Sequence, residues 1–175
     1  MRVIAGEFRS RKLKTLPGRG VRPTSDRLRE TLFSVLGAEV VGKVFVDAYA
    51  WTGAVGIEAL SRGAARAIFI EKNPRAMAVL RENLRALGLE AQAQVVERPV
   101  ATALKAIGGD IVFLDPPYDE TREYEAALGV LGQSPPVLVI AEHAVRADLE
   151  TQYGELERVR ILRQGDSGLS FYRPR

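Results

Sequence analysis

Between Lys43 and Glu142 the chain repeats one unit: a short apolar run, a turn, then a segment with helical spacing. The runs are Val44–Asp47, Ala67–Glu71, Ala93–Glu97, Ile111–Asp115 and Val137–Glu142. They are continuously apolar instead of alternating, which is the pattern of strands buried on both faces and therefore of a parallel sheet. Helices are predicted near 53–62, 74–87, 99–107 and 121–132. Asn73 caps the second of these with Pro74 in its first turn, and Gly88 stops it. Right-handed crossovers between such strands give a doubly wound sheet. Its ligand crevice lies at the carboxyl ends of the first and fourth strands. The tail breaks the pattern: "ELERVRILRQG" and "GLSFYRP" flank Asp166–Ser167 and read as an antiparallel hairpin. The expectation is an α/β protein with seven strands, five parallel and two antiparallel.

The first residues are of another character. Two short strands are predicted around Val3–Ala5 and Lys12–Thr15, joined by the turn Gly6–Arg11. "LPGRGVRP" follows as a loop. A helix then starts at Thr24 or Ser25, places Leu28, Leu32, Val35 and Leu36 on one core-facing side, and ends at Gly37. Residues 1–23 are thus expected to form a basic extension on a body spanning 24–175. Residues 1–29 carry nine Lys and Arg against Glu7 and Asp26, a balance of +7, whereas the remainder carries −4. A cationic arm on a mildly acidic body suits a polyanionic partner.

Other classes are excluded by what the chain lacks. It contains no cysteine and one histidine, His143, so thiol chemistry and Cys- or His-rich metal sites drop out. No apolar run reaches the ~18 residues of a membrane span, and the N-terminus has no signal-like apolar core. The expectation is a cytoplasmic, monomeric protein that uses no metal. His143, beside a strand end, reads as a hydrogen-bonded structural residue.

Four carboxylates end strands: Asp47, Glu71, Asp115 and Glu142. After Asp47, the loop "AYAWTGAVG" resembles a dinucleotide loop, with Trp51 at the first glycine position and Gly53 and Gly56 at the other two. Glu71, at the tip of the second strand, is placed to accept hydrogen bonds from a ribose diol and would repel a 2′-phosphate. Asp47 would repel a diphosphate at this turn but would welcome an ammonium group. S-adenosylmethionine combines a ribose diol and an ammonium group with no phosphate. A nicotinamide oxidoreductase is disfavoured on the same grounds.

"DIVFLDPPYDE" identifies the chemistry. Two consecutive prolines fix two φ angles and remove two donors. Asp115 is then held with its carbonyls in a rigid turn able to accept hydrogen bonds from an exocyclic amine. The amine nitrogen, held so, attacks a methyl donor in line. Tyr118 offers a ring face for stacking a planar base. No general base with a pKa near 7 is required, because the product sheds its proton afterwards.

With these residues on the page, the chain resembles the class I methyltransferases carrying a D-P-P-Y motif. Among them it resembles the bacterial 16S ribosomal RNA guanine-N2 methyltransferases that act on the guanine at position 966. The resemblance covers nearly the whole chain and rests on "RVIAGEFRSRKLKTLPGRGVRPTSDRLRETLFSVLG", "VDAYAWTGAVGIEALSRGA", "IFIEKNP", "LDPPY" and "VIAEH". The "R-P-T-x-D-R-x-R-E" run is its most specific part. The family's usual F-A-G-S-G is replaced by Tyr49-Ala50-Trp51-Thr52-Gly53. The resemblance implies a Rossmann-like fold with S-adenosylmethionine as cofactor. Asp47, Ala48, Tyr49, Ala50, Trp51, Thr52 and Gly53 would wrap the methionine part and Glu71 would hold the ribose. Lys72 and Asn73 would lie beside the adenine, with Arg98 and Pro99 on its other side. Asp115, Pro116, Pro117 and Tyr118 would hold the guanine amine, with Asp115 also bordering the cofactor. Arg9, Arg11, Lys12, Lys14, Arg22, Thr24 and Arg27 would meet 16S ribosomal RNA, within a partly assembled small subunit. The motif alone also admits adenine N6, cytosine N4 or a glutamine amide as target, and a non-catalytic RNA-binding assembly factor is the alternative of a different class.

Overall fold

The computed structural model describes residues 1–17, 24–117 and 120–175. One eight-stranded sheet runs through the molecule. Its strands are β1 (Val44–Ala48), β2 (Arg66–Ile70), β3 (Ala93–Val96), β4 (Ile111–Leu114), β5 (Leu138–Ala144), β6 (Gln152–Tyr153), β7 (Leu156–Gln164) and β8 (Ser167–Pro174), in the spatial order β3-β2-β1-β4-β5-β8-β7-β6. The first five are parallel, and β8 enters antiparallel to β5. The five parallel strands and the hairpin agree with the sequence reading. The eighth strand is the two-residue β6, paired to β7 and too short to leave a pattern in the sequence.

Five helices cover the sheet: α1 (Asp26–Leu36), α2 (Ala54–Ser61), α3 (Pro74–Ala86), α4 (Val100–Leu104) and α5 (Thr121–Gln133). Strand residues alternate between two cores. Phe45, Phe69, Phe113 and Ile140 point toward α1, α2 and α3, while Val46, Ile68, Val112 and Val139 point toward α4 and α5. With both faces covered, the central positions of the parallel strands are apolar, which is why the runs do not alternate. β3 is the exception. It is an edge strand, its residues are exposed or half-buried, and Gln94 sits in its middle.

Ser25 caps α1 by accepting the Leu28 N–H at 3.1 Å, and Asn73 caps α3 through the N–H groups of Arg75 and Ala76. α4 is shorter than its predicted span. The expected N-terminal segments pair antiparallel only briefly, at the bridge between Arg2 and Lys12, with Val3 N–H on the Arg11 carbonyl at 3.0 Å and Leu13 N–H on the Met1 carbonyl at 2.9 Å. Beyond that pairing the segments bond to the body. Buried Glu58 of α2 accepts the N–H groups of Ile4 and Ala5, and Ser61 accepts those of Glu7 and Phe8. Val3 and Leu13 are buried in the core beneath α1 and α2. Among the described residues, no helix is long and apolar enough to cross a membrane.

Candidate active site

β1 and β4 are parallel neighbours, and their carboxyl ends open onto one cleft of about 1420 Å³. Asp47 lies one residue before the end of β1 and is 2% exposed. Its Oδ2 accepts the N–H of Gly56 at 2.9 Å. Gly56 is in the first turn of α2, where backbone donors have no partner within the helix. A Cβ on Gly56 would lie 2.4 Å from Phe69 Cε1 and 3.1 Å from Asp47 Cβ, so a glycine is needed for this approach. Burial pushes the Asp47 carboxyl up to about 8. The Gly56 N–H opposes the shift, and the charge of Glu71 adds to it.

The loop after β1 is sharply coiled. Tyr49, Trp51 and Gly53 have φ of 63°, 52° and 89°, all left-handed. For a tyrosine and a tryptophan this costs about 1 kcal/mol each. The surroundings enforce it. Ala50 N–H donates to the Ile70 carbonyl at 2.9 Å, Trp51 N–H to Glu71 Oε2 at 2.8 Å, and Gly53 N–H to the Ala50 carbonyl at 2.8 Å. The Trp51 indole N–H reaches the Leu16 carbonyl at 3.3 Å, so the residue in place of the usual glycine fastens the N-terminal arm. Glu71 Oε1 accepts the N–H groups of Lys72 and Asn73, both at 2.9 Å. Three backbone donors thus fix this carboxylate, which has about four acceptor positions in all.

Asp115 follows β4 directly, half-buried, with Pro116 and Pro117 behind it. The Thr24 hydroxyl lies 3.1 Å from Asp115 Oδ2 and 2.9 Å from Glu142 Oε2. Burial, then the charge of Glu142, raises the Asp115 carboxyl well above the ordinary carboxylate range. Tyr124 of α5 donates its hydroxyl to the Glu142 carbonyl. Burial, with Asp115 and Glu142 nearby, keeps this phenol protonated. His143 donates from Nδ1 to the Ala144 carbonyl and accepts at Nε2 from the Ser170 hydroxyl, each at 2.8 Å. A carbonyl can only accept, which assigns the tautomer, and burial lowers the pKa so that the ring is neutral.

Of the expected cofactor residues, Asp47, Tyr49, Ala50, Trp51 and Thr52 line the cleft on one side. Glu71, Lys72, Asn73, Arg98 and Pro99 line it further round, and Asp115, Pro116 and Pro117 complete it. Ala48 is fully buried in the core under α4 and α5, and Gly53 is buried behind the loop, where a Cβ would meet Leu80 at 2.3 Å. Tyr118 and Arg22 lie outside the described residues. Arg9, Arg11, Lys12, Lys14 and Arg27 are exposed, with Lys14 Nζ on Glu82 at 2.6 Å and an Arg11 Nη on the Ala86 carbonyl. Thr24 is buried, its hydroxyl engaged by the two carboxyls. The cleft also takes in the arm residues Leu16 and Pro17 and the hairpin tip Gly165–Ser167, which sequence reasoning did not place there. Glu142, visible in the sequence as a strand-ending acid, lines the cleft and meets the hydroxyl of Thr24, 118 positions away. Among the described residues there is no cluster suited to a metal ion.

Residues 1–173 match the family described as Conserved hypothetical protein 95. The chain belongs to this family. Relatives of this chain carry informative names. YlbH of Bacillus subtilis, provisionally named an rRNA methyltransferase, is 34% identical over 184 residues that cover 100% of both chains. Ribosomal RNA small subunit methyltransferase D of Escherichia coli is 42% identical over 120 residues, which cover 67% of this chain and 60% of that relative. Among solved structures, the Escherichia coli protein yhhF, provisionally described as a methyltransferase, superposes with a TM-score of 0.85 at 33% identity, over 99% of this chain and 97% of the other. The doubly wound sheet with an antiparallel tail is the class I methyltransferase fold.

Proposed function

We propose that this protein transfers the methyl group of S-adenosylmethionine to the exocyclic N2 amine of a guanine in 16S ribosomal RNA, within a partly assembled small subunit in the cytoplasm. The protein is an S-adenosylmethionine-dependent RNA methyltransferase, a reading that joins its family and fold to the residues of the cleft. The single observation that carries it is the position of Asp115. It stands at the rigid Pro-Pro exit of β4, in the same cleft as Asp47 and Glu71.

The residues present fit the cofactor. Glu71 keeps an acceptor position beyond its three backbone donors, as a ribose hydroxyl requires. Asp47 borders the cleft and is neutral near pH 7 by burial, so a neighbouring ammonium would restore its charge and be held by it. When bound, S-adenosylmethionine supplies an electrophilic methyl group on a sulfonium. Asp115 and the turn carbonyls accept the hydrogens of a planar amine and orient its nitrogen toward the methyl donor. Pro116 and Pro117 keep that acceptor set from relaxing, since neither has a free φ or an N–H to turn inward. A base in an RNA duplex would have to be flipped out to reach so recessed a group.

Labelled cofactor incubated with the protein and with ribosomal RNA lacking the modification should yield N2-methylguanosine on mass-spectrometric mapping. Label on another nucleoside would replace the guanine assignment. Asp115→Ala should abolish transfer while leaving affinity for the demethylated cofactor within about tenfold. Failure of the wild-type chain to bind that product up to millimolar concentration would leave only an RNA-binding scaffold.

A further inference from the structure

A hydroxyl has one hydrogen and two lone pairs, yet the Thr24 hydroxyl lies within hydrogen-bond distance of two carboxyls, 3.1 Å from Asp115 and 2.9 Å from Glu142. Its one hydrogen either goes to one of them or is shared between both in a bifurcated bond. Both contacts reach full strength only where one carboxyl carries a proton and donates it to the threonine oxygen. The geometry therefore favours one proton on the carboxyl pair, and the hydroxyl is the path by which it changes sides. Thr24 is 7% exposed and Glu142 9%, whereas Asp115 is half-open to the cleft.

We propose that Thr24 and Glu142 are positioning residues for methyl transfer: with Asp115 they form a relay that holds one proton at rest and takes up a second from the amine as it is methylated. This rests on the reading of the protein as an amine methyltransferase. An amine donating a hydrogen bond to Asp115 stabilises the ionised form there and moves the resting proton through Thr24 to Glu142. The nitrogen lone pair then forms the N–C bond, and the S–C bond breaks with its electrons on sulfur. The nitrogen, left cationic, passes one proton to Asp115. The pair is then neutral and loses that proton to solvent through the cleft as the product departs. The other groups around the pair do not compete for this task. Asp47 is bonded to Gly56, Tyr124 donates to the Glu142 carbonyl, and His143 is held neutral by Ala144 and Ser170. Glu123 is bonded to Tyr49, and the guanidinium of Arg146, also lining the cleft, offers donors only.

The test is the pH profile of single-turnover methyl transfer in Glu142→Gln, Thr24→Ser and Thr24→Val, with binding of the demethylated cofactor measured alongside. With the resting proton on Glu142, the wild-type acid limb already reports Asp115 beside a neutral neighbour, so Glu142→Gln should leave that limb in place; a proton that stays on Asp115 would instead make the limb move down by about one pH unit or more. Thr24→Ser should keep the wild-type profile. Thr24→Val should lose about tenfold or more in rate with cofactor affinity within about threefold. An infrared carboxylic-acid band of the cofactor-free protein at pH 7 should weaken in Glu142→Gln, with Asp47 contributing equally to both spectra. That readout needs no RNA and stands even if the substrate assignment fails. An acid limb that moves down by about one pH unit or more in Glu142→Gln, or an unchanged band, would overturn the relay.

Discussion

Asp47 is a carboxyl that folding makes less acidic, and the sign of its effect on stability follows. Its folded value of about 8 lies above the ordinary 3.8, so between those limits the native state holds a proton that the unfolded chain has lost. Stability is full below about pH 4 and declines as pH rises to 8, by at most about 1.4 kcal/mol per unit for one such group. Asp115 acts in the same direction. Asp47→Asn keeps an oxygen for the Gly56 N–H and removes the titration. Denaturation of the cofactor-free protein at pH 5 and pH 8 should then show a smaller loss for the variant, by about 2 kcal/mol. Equal losses in both proteins would mean that Asp47 is ionised throughout. Trp51 illustrates another residue-level exchange. Its left-handed backbone is strained, but its N–H fixes Glu71 and its indole fixes Leu16.

Asn83 on α3 ties the arm to the loop that follows β1. Its amide accepts the Lys14 N–H at 2.8 Å and donates to the carbonyls of Lys14 at 3.1 Å and Thr52 at 3.0 Å, and the residue is 3% exposed. Asn83→Ala leaves those backbone groups without partners and should cost about 2–4 kcal/mol. Trypsin should also cut at Arg9, Arg11 or Lys12 faster than in the wild-type protein, and an unchanged cleavage rate would show that the arm is held by other contacts. This attachment is also where the sequence was least legible. The five parallel strands, the caps at Ser25 and Asn73 and the C-terminal hairpin follow from local patterns, because covered strands, Asx and Ser caps and turn residues leave local marks. Asp47, Glu71 and Asp115 could be assigned because each ends a strand whose place in the sheet is fixed by crossover handedness. The hydrogen bonds of Asn83 with Lys14, of Glu58 with residues 4 and 5, and of Thr24 with Glu142 join positions 53 to 118 residues apart, and polar side chains show no periodicity that could reveal them. The arm's pairing is short for the same reason. Val3 and Leu13 donate across it to Arg11 and Met1, and the backbone groups beyond them found partners on α2 and α3.

Across the whole molecule, the basic arm runs from the far ends of α2 and α3, where Phe8 meets Ser61 and Arg11 meets Ala86, to the cleft. Arg9, Arg11, Lys12 and Lys14 lie exposed on this arm, whose end, Leu16 and Pro17, forms part of the cleft wall. A polyanion gathered by the arm would therefore extend along the molecule toward the opening that leads to Asp115. Lys14 is paired with Glu82, an exposed ion pair of little energetic weight that RNA phosphates could displace. Each phosphate neutralised by a cation releases counterions, so the number of such contacts is read from the salt dependence of binding. Replacing Arg9, Arg11 and Lys12 together by alanine should weaken RNA binding. It should also lower the slope of log K against log salt by about 2, at ~0.7 per contact with single-stranded RNA. Asp115→Ala, which removes no cation, should leave the slope unchanged. If the triple variant keeps the wild-type slope, phosphate contact falls elsewhere. The next surface to neutralise is then the α1–β7 face, where Arg27 and Arg160 line a shallow pocket with Thr31 and where the Thr31 hydroxyl donates to Gln164 at 2.7 Å.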